Sequence, residues 1–234
     1  MNCLWKWLFL VLIFPMALFA QTLKEKFYKA QPGDYVVTLQ AKNYSLLRVH
    51  ALKGGCLTLE EITIPEEEAK PRSWNWKQWA EKGAPGHTSW ILYEIDLDKN
   101  RLLKCYSKVK MAAIYPEEAD YLFLKFLNLP LRHLSEPERK KVGPPPQDGE
   151  TDRRKIWNPT LTIEGKTVAR PSFDVLQAEW PNDDSPLSSC FVEFYVDQNR
   201  PFPFPYWIEI KSSHYAFKIR AVDSGTGASY EQSH

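Results

Sequence analysis

The residue types best suited to nucleophilic chemistry lie in two short segments. His87 directly precedes Thr88 and Ser89, and Cys56 follows a pair of glycines. A histidine beside hydroxyl groups, or a cysteine thiol, could serve a hydrolase. Adjacent residues of a strand point to opposite faces and cannot form a catalytic triad together. The sequence therefore favours an exposed His87 on a turn and a packed Cys56, and a hydrolase is the third of three hypotheses.

Spacing of the other ligand-forming residues gives no support to a metal centre. None of the five histidines has a histidine partner three or four positions away, and none is close to a cysteine. The chain also has no GxSxG motif and no glycine-rich phosphate loop. We therefore predict no catalytic residue, no metal site and no cofactor. Cys56, Cys105 and Cys190 lie in apolar, strand-like contexts, where they form one disulfide at most or remain three buried thiols.

A concentration of tryptophan is the stronger chemical signal. Trp74, Trp76, Trp79 and Trp90 lie close together in a chain in which 14% of residues are aromatic. Tryptophan combines a large apolar surface with one N–H donor, which suits apolar ligand pockets and partner surfaces. The same rings could equally fill the core of a β domain beneath a loop.

The elements that position these residues are mostly strands. Aromatic and β-branched runs interrupted by Pro, Asn and Asp predict strands over 35–41, 44–52, 56–64, 88–97, 188–196, 206–211 and 215–222. In the first run Tyr35, Val37 and Leu39 alternate with more polar positions, which predicts one buried face. In the third run the apolar positions change phase at Glu60-Glu61, which predicts a bulge.

One helical insertion is expected, over residues 116–142. It starts at Pro116, and its apolar side chains follow the i, i+3, i+4, i+7 spacing of a buried helix face; they are Ala119, Leu122, Phe123, Phe126 and Leu127. Ser135 and Glu138 have the spacing of a capping box, which predicts a second short helix. Residues 143–151 are rich in proline and predict an exposed loop.

The first twenty residues have the layout of a secretory signal peptide. Lys6 precedes an apolar run, Pro15 interrupts it, and Ala20 supplies a small residue at the cleavage position. This predicts an exported protein, periplasmic or extracellular, with no transmembrane span after cleavage. The predicted organisation is a signal peptide at 1–20, a single β-rich domain at 21–223 and a disordered tail at 224–234.

The balance of basic and acidic residues argues against some classes of binding partner. The chain has 30 basic and 29 acidic residues, and Lys6 is the one charged residue of the leader, so the remainder is balanced. A nucleic-acid-binding protein needs a basic face, and so does a protein held on anionic lipid by charge. We therefore expect no nucleic-acid partner, whereas a lipid, a lipoprotein or another envelope protein remains possible.

The C-terminal third has a recurring form. The strand 192–196 ends at Asp197, prolines flank Phe204, and the strand 206–210 alternates aromatic and acidic positions. This ending resembles that of the LolA-like superfamily of periplasmic lipoprotein carriers, although the chain is longer and has Phe-Pro where that family has Leu-Pro. The resemblance implies an open antiparallel half-barrel whose short helices cover its mouth and which holds acyl chains.

We expect a mainly β fold, a curved antiparallel sheet or open half-barrel with a short helical insertion covering one face. The leading hypothesis is an exported, non-catalytic cell-envelope protein that binds an apolar ligand or lipidated partner. The predicted ligand-binding residues are Trp76, Trp79, Trp90, Phe123, Phe126 and Trp207. The alternative is a structural or interaction protein with a filled core and a Trp-rich docking loop.

Overall fold

The computed structural model describes residues 21–69, 75–115, 122–212 and 216–228. The predicted signal peptide, Trp74 and the start of the predicted helical insertion lie outside these ranges.

Short helices and many strands make up the described chain. The helices are α1 (Lys24–Phe27), α2 (Glu66–Ala69), α3 (Trp76–Glu81) and α4 (Leu122–Asn128), with a 3₁₀ turn at Glu136–Glu138. The strands are β1 (Tyr35–Gln40), β2 (Asn43–Lys53), β3 (Cys56–Pro65), β4 (Ser89–Asp96), β5 (Arg101–Ser107), β6 (Ala112–Ile114), β7 (Arg132–His133), β8 (Thr162–Ile163), β9 (Lys166–Thr167), β10 (Phe173–Glu179), β11 (Phe191–Asp197), β12 (Trp207–Lys211) and β13 (Ala216–Gly225).

Eleven strands form one antiparallel sheet in the order β6-β5-β4-β3-β2-β1-β13-β12-β11-β10-β7, and β8 pairs with β9 separately. Two meanders, β1 to β6 and β10 to β13, are therefore joined where β1 pairs with β13. The sheet stays open, because β6 and β7 are its two edges. The predicted mainly β, open antiparallel fold with few short helices is confirmed.

Both faces of the N-terminal meander are buried. On β1, Val36 belongs to the main core, whereas Tyr35 and Val37 belong to a second core on the opposite face. The prediction of a single buried face for this strand is thus wrong. The physical reason is that Ala69 of α2, Trp79 and Ala80 of α3, and Ala84 cover the second face, so both sets of alternating side chains leave water.

The change of phase within β3 has the same origin. Leu57 and Leu59 face the main core, and Ile62 and Ile64 face the second core. The strand pairs regularly with β4 throughout. The bulge lies instead on β2, between Val49 and Ala51, so its predicted position at Glu60-Glu61 is wrong.

Among the described residues of the predicted insertion, α4 and the 3₁₀ turn are helical, whereas β7 is an edge strand of the sheet. Helix α4 has Phe126 and Leu127 in the core, and Glu138 accepts hydrogen bonds from both the backbone N–H (2.9 Å) and the hydroxyl (2.6 Å) of Ser135. Most residues of the 143–151 loop are exposed. The predicted tail starts too early, because β13 continues to Gly225 and Ala228 is buried, with its N–H bonded to the Gly33 carbonyl (3.2 Å).

Candidate functional site

A pocket of about 300 Å³ lies between the sheet and the helices α1 and α4. Its volume is at the lower end of the range of roughly 300–1,000 Å³ found for small-molecule sites. The sheet contributes Val36, Thr38, Gln40, Ser45, Leu47, Glu61, Tyr93, Ile208, Ile219 and Ala221, and the remaining lining residues are Leu23, Leu122, Phe123, Phe126, Phe204 and Pro205. Most of these side chains are apolar, so the pocket suits an apolar ligand.

Strand register explains why the pocket has an apolar and a polar end. Val36 pairs with Leu47 in one row across β1 and β2, and Thr38 pairs with Ser45 in the next row toward the β1–β2 turn. Along β1 exposure rises in the same direction, from 2% at Val36 to a half-buried Thr38 and an exposed Gln40. The polar end is therefore the mouth, and the apolar end is its interior.

Aromatic contacts hold the two helices over the sheet. Phe27 of α1 packs edge-on against Phe123 of α4, with ring centroids 5.2 Å apart, and against Phe204 at 5.1 Å. Phe126 packs in the same way against Phe194 of β11 at 5.4 Å. Such pairs stabilise by about 0.5–1.5 kcal/mol beyond the burial of their area. The roof of the pocket is thus a set of interlocked rings.

Glu61 is the one acidic residue among the described lining residues. The Tyr93 hydroxyl donates to its Oε2 atom at 2.9 Å, and the Ser45 hydroxyl, which bonds to the Thr63 hydroxyl at 3.2 Å, lies on the same face of the sheet. Burial raises the pKa of Glu61 above its ordinary value, although the hydroxyl groups of Tyr93 and Ser45 oppose the shift. Burial and the neighbouring Glu61 carboxyl raise the pKa of Tyr93 as well, so the phenol remains a donor.

Of the predicted ligand-binding residues, the structure brings Phe123 and Phe126 into the pocket lining. Trp76, Trp79 and Trp90 lie together in the second core, on the opposite face of the sheet. Trp207 also points away from the pocket, because its neighbour Ile208 lines it. The Trp207 ring instead contacts Trp157, with centroids 5.0 Å apart.

Two tryptophans of the second core are buried, and Trp76 is half-buried at its edge. Trp79 and Trp90 are each 5% exposed, and Trp76 packs against Trp79 with ring centroids 5.5 Å apart. The Trp79 indole donates to the Pro85 carbonyl at 3.1 Å. This arrangement matches the reading of these rings as core-filling residues.

A buried ionic cluster completes the second core. Arg48 of β2 binds the Glu60 carboxylate through two nitrogens, and Lys108 (3.0 Å) and the Trp90 indole (2.6 Å) bind its other oxygen. Burial opposes ionisation of Glu60, but the charges of Arg48 and Lys108 outweigh it and hold its pKa below the ordinary value. The carboxylate is therefore fully committed to neighbouring side chains, which is typical of a structural ion pair.

The two candidate nucleophilic segments lie apart. His87 lies in the segment that joins α3 to β4, near Thr63, since the Thr88 N–H bonds to the Thr63 carbonyl. Cys56 is at the other end of β3, about 23 Å away at ~3.3 Å per residue. Burial also raises the pKa of the Cys56 thiol, which disfavours the thiolate.

The described part of the chain shows no disulfide, no metal-binding cluster and no membrane-spanning helix. Cys56, Cys105 and Cys190 are all free thiols. The described ranges hold no group of three or more His, Cys, Asp or Glu side chains with the arrangement of a metal site. Every helix in these ranges is too short or too polar to cross a membrane.

Sequence reasoning missed Glu61 and Tyr93. Both belong to the alternating positions of β3 and β4 that face the main core, and in β3 Glu61 continues the series of Leu57 and Leu59. An acidic residue in an otherwise apolar alternating series was the available signal. The sequence pattern indicates a bulge instead, because the neighbouring Glu60 belongs to the other face.

Comparisons with known proteins agree with this architecture. A 2.0 Å structure of the hypothetical protein CT021 from Chlamydia trachomatis superimposes with a TM-score of 0.65. The two sequences are 20% identical, and the match covers 90% of this chain and 96% of that one, so the likeness shows the fold alone. Curated proteins give no match. The family model described as CT021 protein matches residues 45–169, which include Glu61, Tyr93 and α4. Because the family model matches more than half of this chain, the chain belongs to the CT021 protein family.

Proposed function

We propose that this protein is an exported, non-catalytic cell-envelope protein that binds an apolar ligand, or the acyl chain of a lipidated partner, in the pocket beneath α1 and α4. The observation that carries the proposal is the pocket itself, which leaves about 300 Å³ unfilled between the main core and its open mouth. Protein interiors are close-packed, and a domain rarely keeps a space of this size without a use for it.

The chemistry of the lining supports an acyl chain. Phe123, Phe126, Ile208 and Leu47 offer no hydrogen bonds, and burial of an apolar chain against such side chains stabilises a complex by ~0.8 kcal/mol per methylene. The polar end at Thr38 and the exposed Gln40 gives a head group access to water. The C-terminal resemblance to LolA-like carriers is consistent with the same proposal.

The cover over the pocket is short, which supports ligand entry. Helix α1 has four residues and α4 has seven. Helices this short owe their stability to packing rather than to their own hydrogen bonds. Displacing Phe123, which is half-buried, from its contact with Phe27 would open the pocket without breaking a strand.

The experiment compares a blocked pocket with an unblocked one. Thr38→Phe places a ring at the mouth, and Thr58→Phe makes the same change at a half-buried residue of β3 on the opposite face. Native mass spectrometry of protein purified from its own cell envelope should show a co-purifying lipid in the wild type and Thr58→Phe, and little in Thr38→Phe. Lipid-free wild-type protein that also fails to bind a neutral fluorescent probe would contradict the proposal.

A further inference from the structure

We infer that the pocket discriminates by charge at its polar end: it accepts uncharged amphiphiles whose head group donates a hydrogen bond to Glu61, and it rejects acyl chains that end in a free carboxylate. This inference rests on the proposed function, because it names the class of ligand that the same pocket takes.

Glu61 lies at the boundary between the two ends of the pocket. On β2 its cross-strand partner is Leu47, which belongs to the apolar row, and the next row toward the mouth contains Ser45. A chain inserted with its apolar end inward therefore brings its head group to the level of Glu61. The position of this carboxyl thus decides which head groups fit.

Glu61 has hydrogen-bonding capacity left for a ligand. A carboxylate can accept about four hydrogen bonds, and the Tyr93 hydroxyl supplies one. An amide N–H or an alcohol O–H at the head of an acyl chain could supply another. Thr38 and Gln40 lie farther toward the mouth, on β1, and add neutral polar groups there.

A carboxylate head group meets the opposite situation. Among the described lining residues no Lys or Arg is present to balance a second negative charge. Two carboxylates that share a partly buried site cannot both ionise without strong repulsion. Binding a fatty acid anion there requires one of the two groups to take up a proton, which weakens binding near neutral pH.

The test uses three ligands with the same chain and different heads: palmitamide, cetyl alcohol and palmitate. The measurement is the concentration of each ligand that displaces half of the neutral probe N-phenyl-1-naphthylamine from the full protein at neutral pH. We expect this concentration to be at least about ten times higher for palmitate than for palmitamide. The reason is that the repulsion between like charges a few ångströms apart in a protein exceeds the free energy that corresponds to a tenfold change. Cetyl alcohol should resemble palmitamide.

Two variants locate the effect. Glu61→Gln removes the charge and should bring palmitate close to palmitamide. Glu94→Gln makes the same change at a carboxyl of β4 that pairs with Lys104 at 3.2 Å, and it should leave the wild-type preference intact. The wild-type comparison decides the inference even if Glu61→Gln fails to fold.

The outcomes separate the inference from the proposed function. If palmitate displaces the probe as well as palmitamide does in the wild type, the charge selection is wrong while the pocket still binds acyl chains. If the probe and all three ligands fail to bind, the proposed function itself is overturned.

Discussion

The adjacent residues Glu60 and Glu61 have very different environments, although they belong to the same strand. Glu60 faces the second core and Glu61 faces the pocket, because successive side chains of β3 alternate. The cations Arg48 and Lys108 hold the pKa of Glu60 below its ordinary value, against the effect of burial. Burial without a cation raises the pKa of Glu61. One carboxyl is therefore part of the framework, and the other is a functional candidate.

Glu61→Gln should change how stability depends on pH. Because the pKa of Glu61 is raised in the folded protein, its contribution to stability is fully present below the unfolded-state pKa near 4.5 and is lost as the pH rises through the folded-state pKa. Relative to the wild type, the variant should therefore gain stability as the pH increases to neutrality. Urea unfolding at a series of pH values measures this difference.

The control for this measurement is Glu94→Gln, which changes a more exposed carboxyl on the next strand. It removes one carboxyl from the same sheet outside the pocket, so it measures what the loss of one negative charge does by itself. A constant free-energy difference between Glu61→Gln and the wild type at every pH would show that Glu61 does not titrate differently on folding.

At the scale of elements, helix α4 combines a packing role with a lining role. Phe126 is 3% exposed and packs against Phe194 and against Trp180 at 5.9 Å, as well as lining the pocket. Phe123, one turn earlier, is half-buried and contacts Phe27. The periodicity of the sequence predicted both as members of one apolar face. It could not distinguish the fully packed ring from the ring that covers the space.

Alanine substitution should separate these roles. Phe126→Ala should cost about 3–5 kcal/mol of unfolding free energy, because it leaves a cavity in the main core. Phe123→Ala should cost less unfolding free energy than Phe126→Ala. It should nevertheless weaken binding of the neutral probe by more than its small loss of stability explains. Chemical denaturation and probe titration of both variants check this order, and equal losses of stability would contradict the distinction.

At the scale of the whole molecule, one junction connects the two meanders. β1 pairs with β13 from Tyr35 opposite Gly225 to Leu39 opposite Arg220, with a register shift between Val37 and Thr38. The Tyr35 ring packs over Gly225, and a Cβ atom at that glycine would lie 2.6 Å from the ring. The glycine is needed there for space, and the packed ring ties the junction to the second core.

Gly225→Ala should therefore destabilise the entire sheet. Displacing the Tyr35 ring is an overpacking change of about 1–3 kcal/mol. Hydrogen exchange should show reduced protection in both β2–β4 and β11–β12, because the junction is shared by the two meanders. Loss of protection confined to β13 would instead mean that the meanders unfold independently.

The sequence by itself determined the elements and the class of fold. Alternation predicted most of the long strands, and the spacing of Phe123, Phe126 and Leu127 predicted the buried face of α4, because these patterns depend on neighbours close along the chain. Only the tertiary structure decided that both faces of β1 to β4 are buried, that the tryptophan cluster fills one face, and that space remains on the other. These outcomes depend on pairing between distant segments, such as β1 with β13, and on whether facing side chains interlock. Local periodicity carries no information about either.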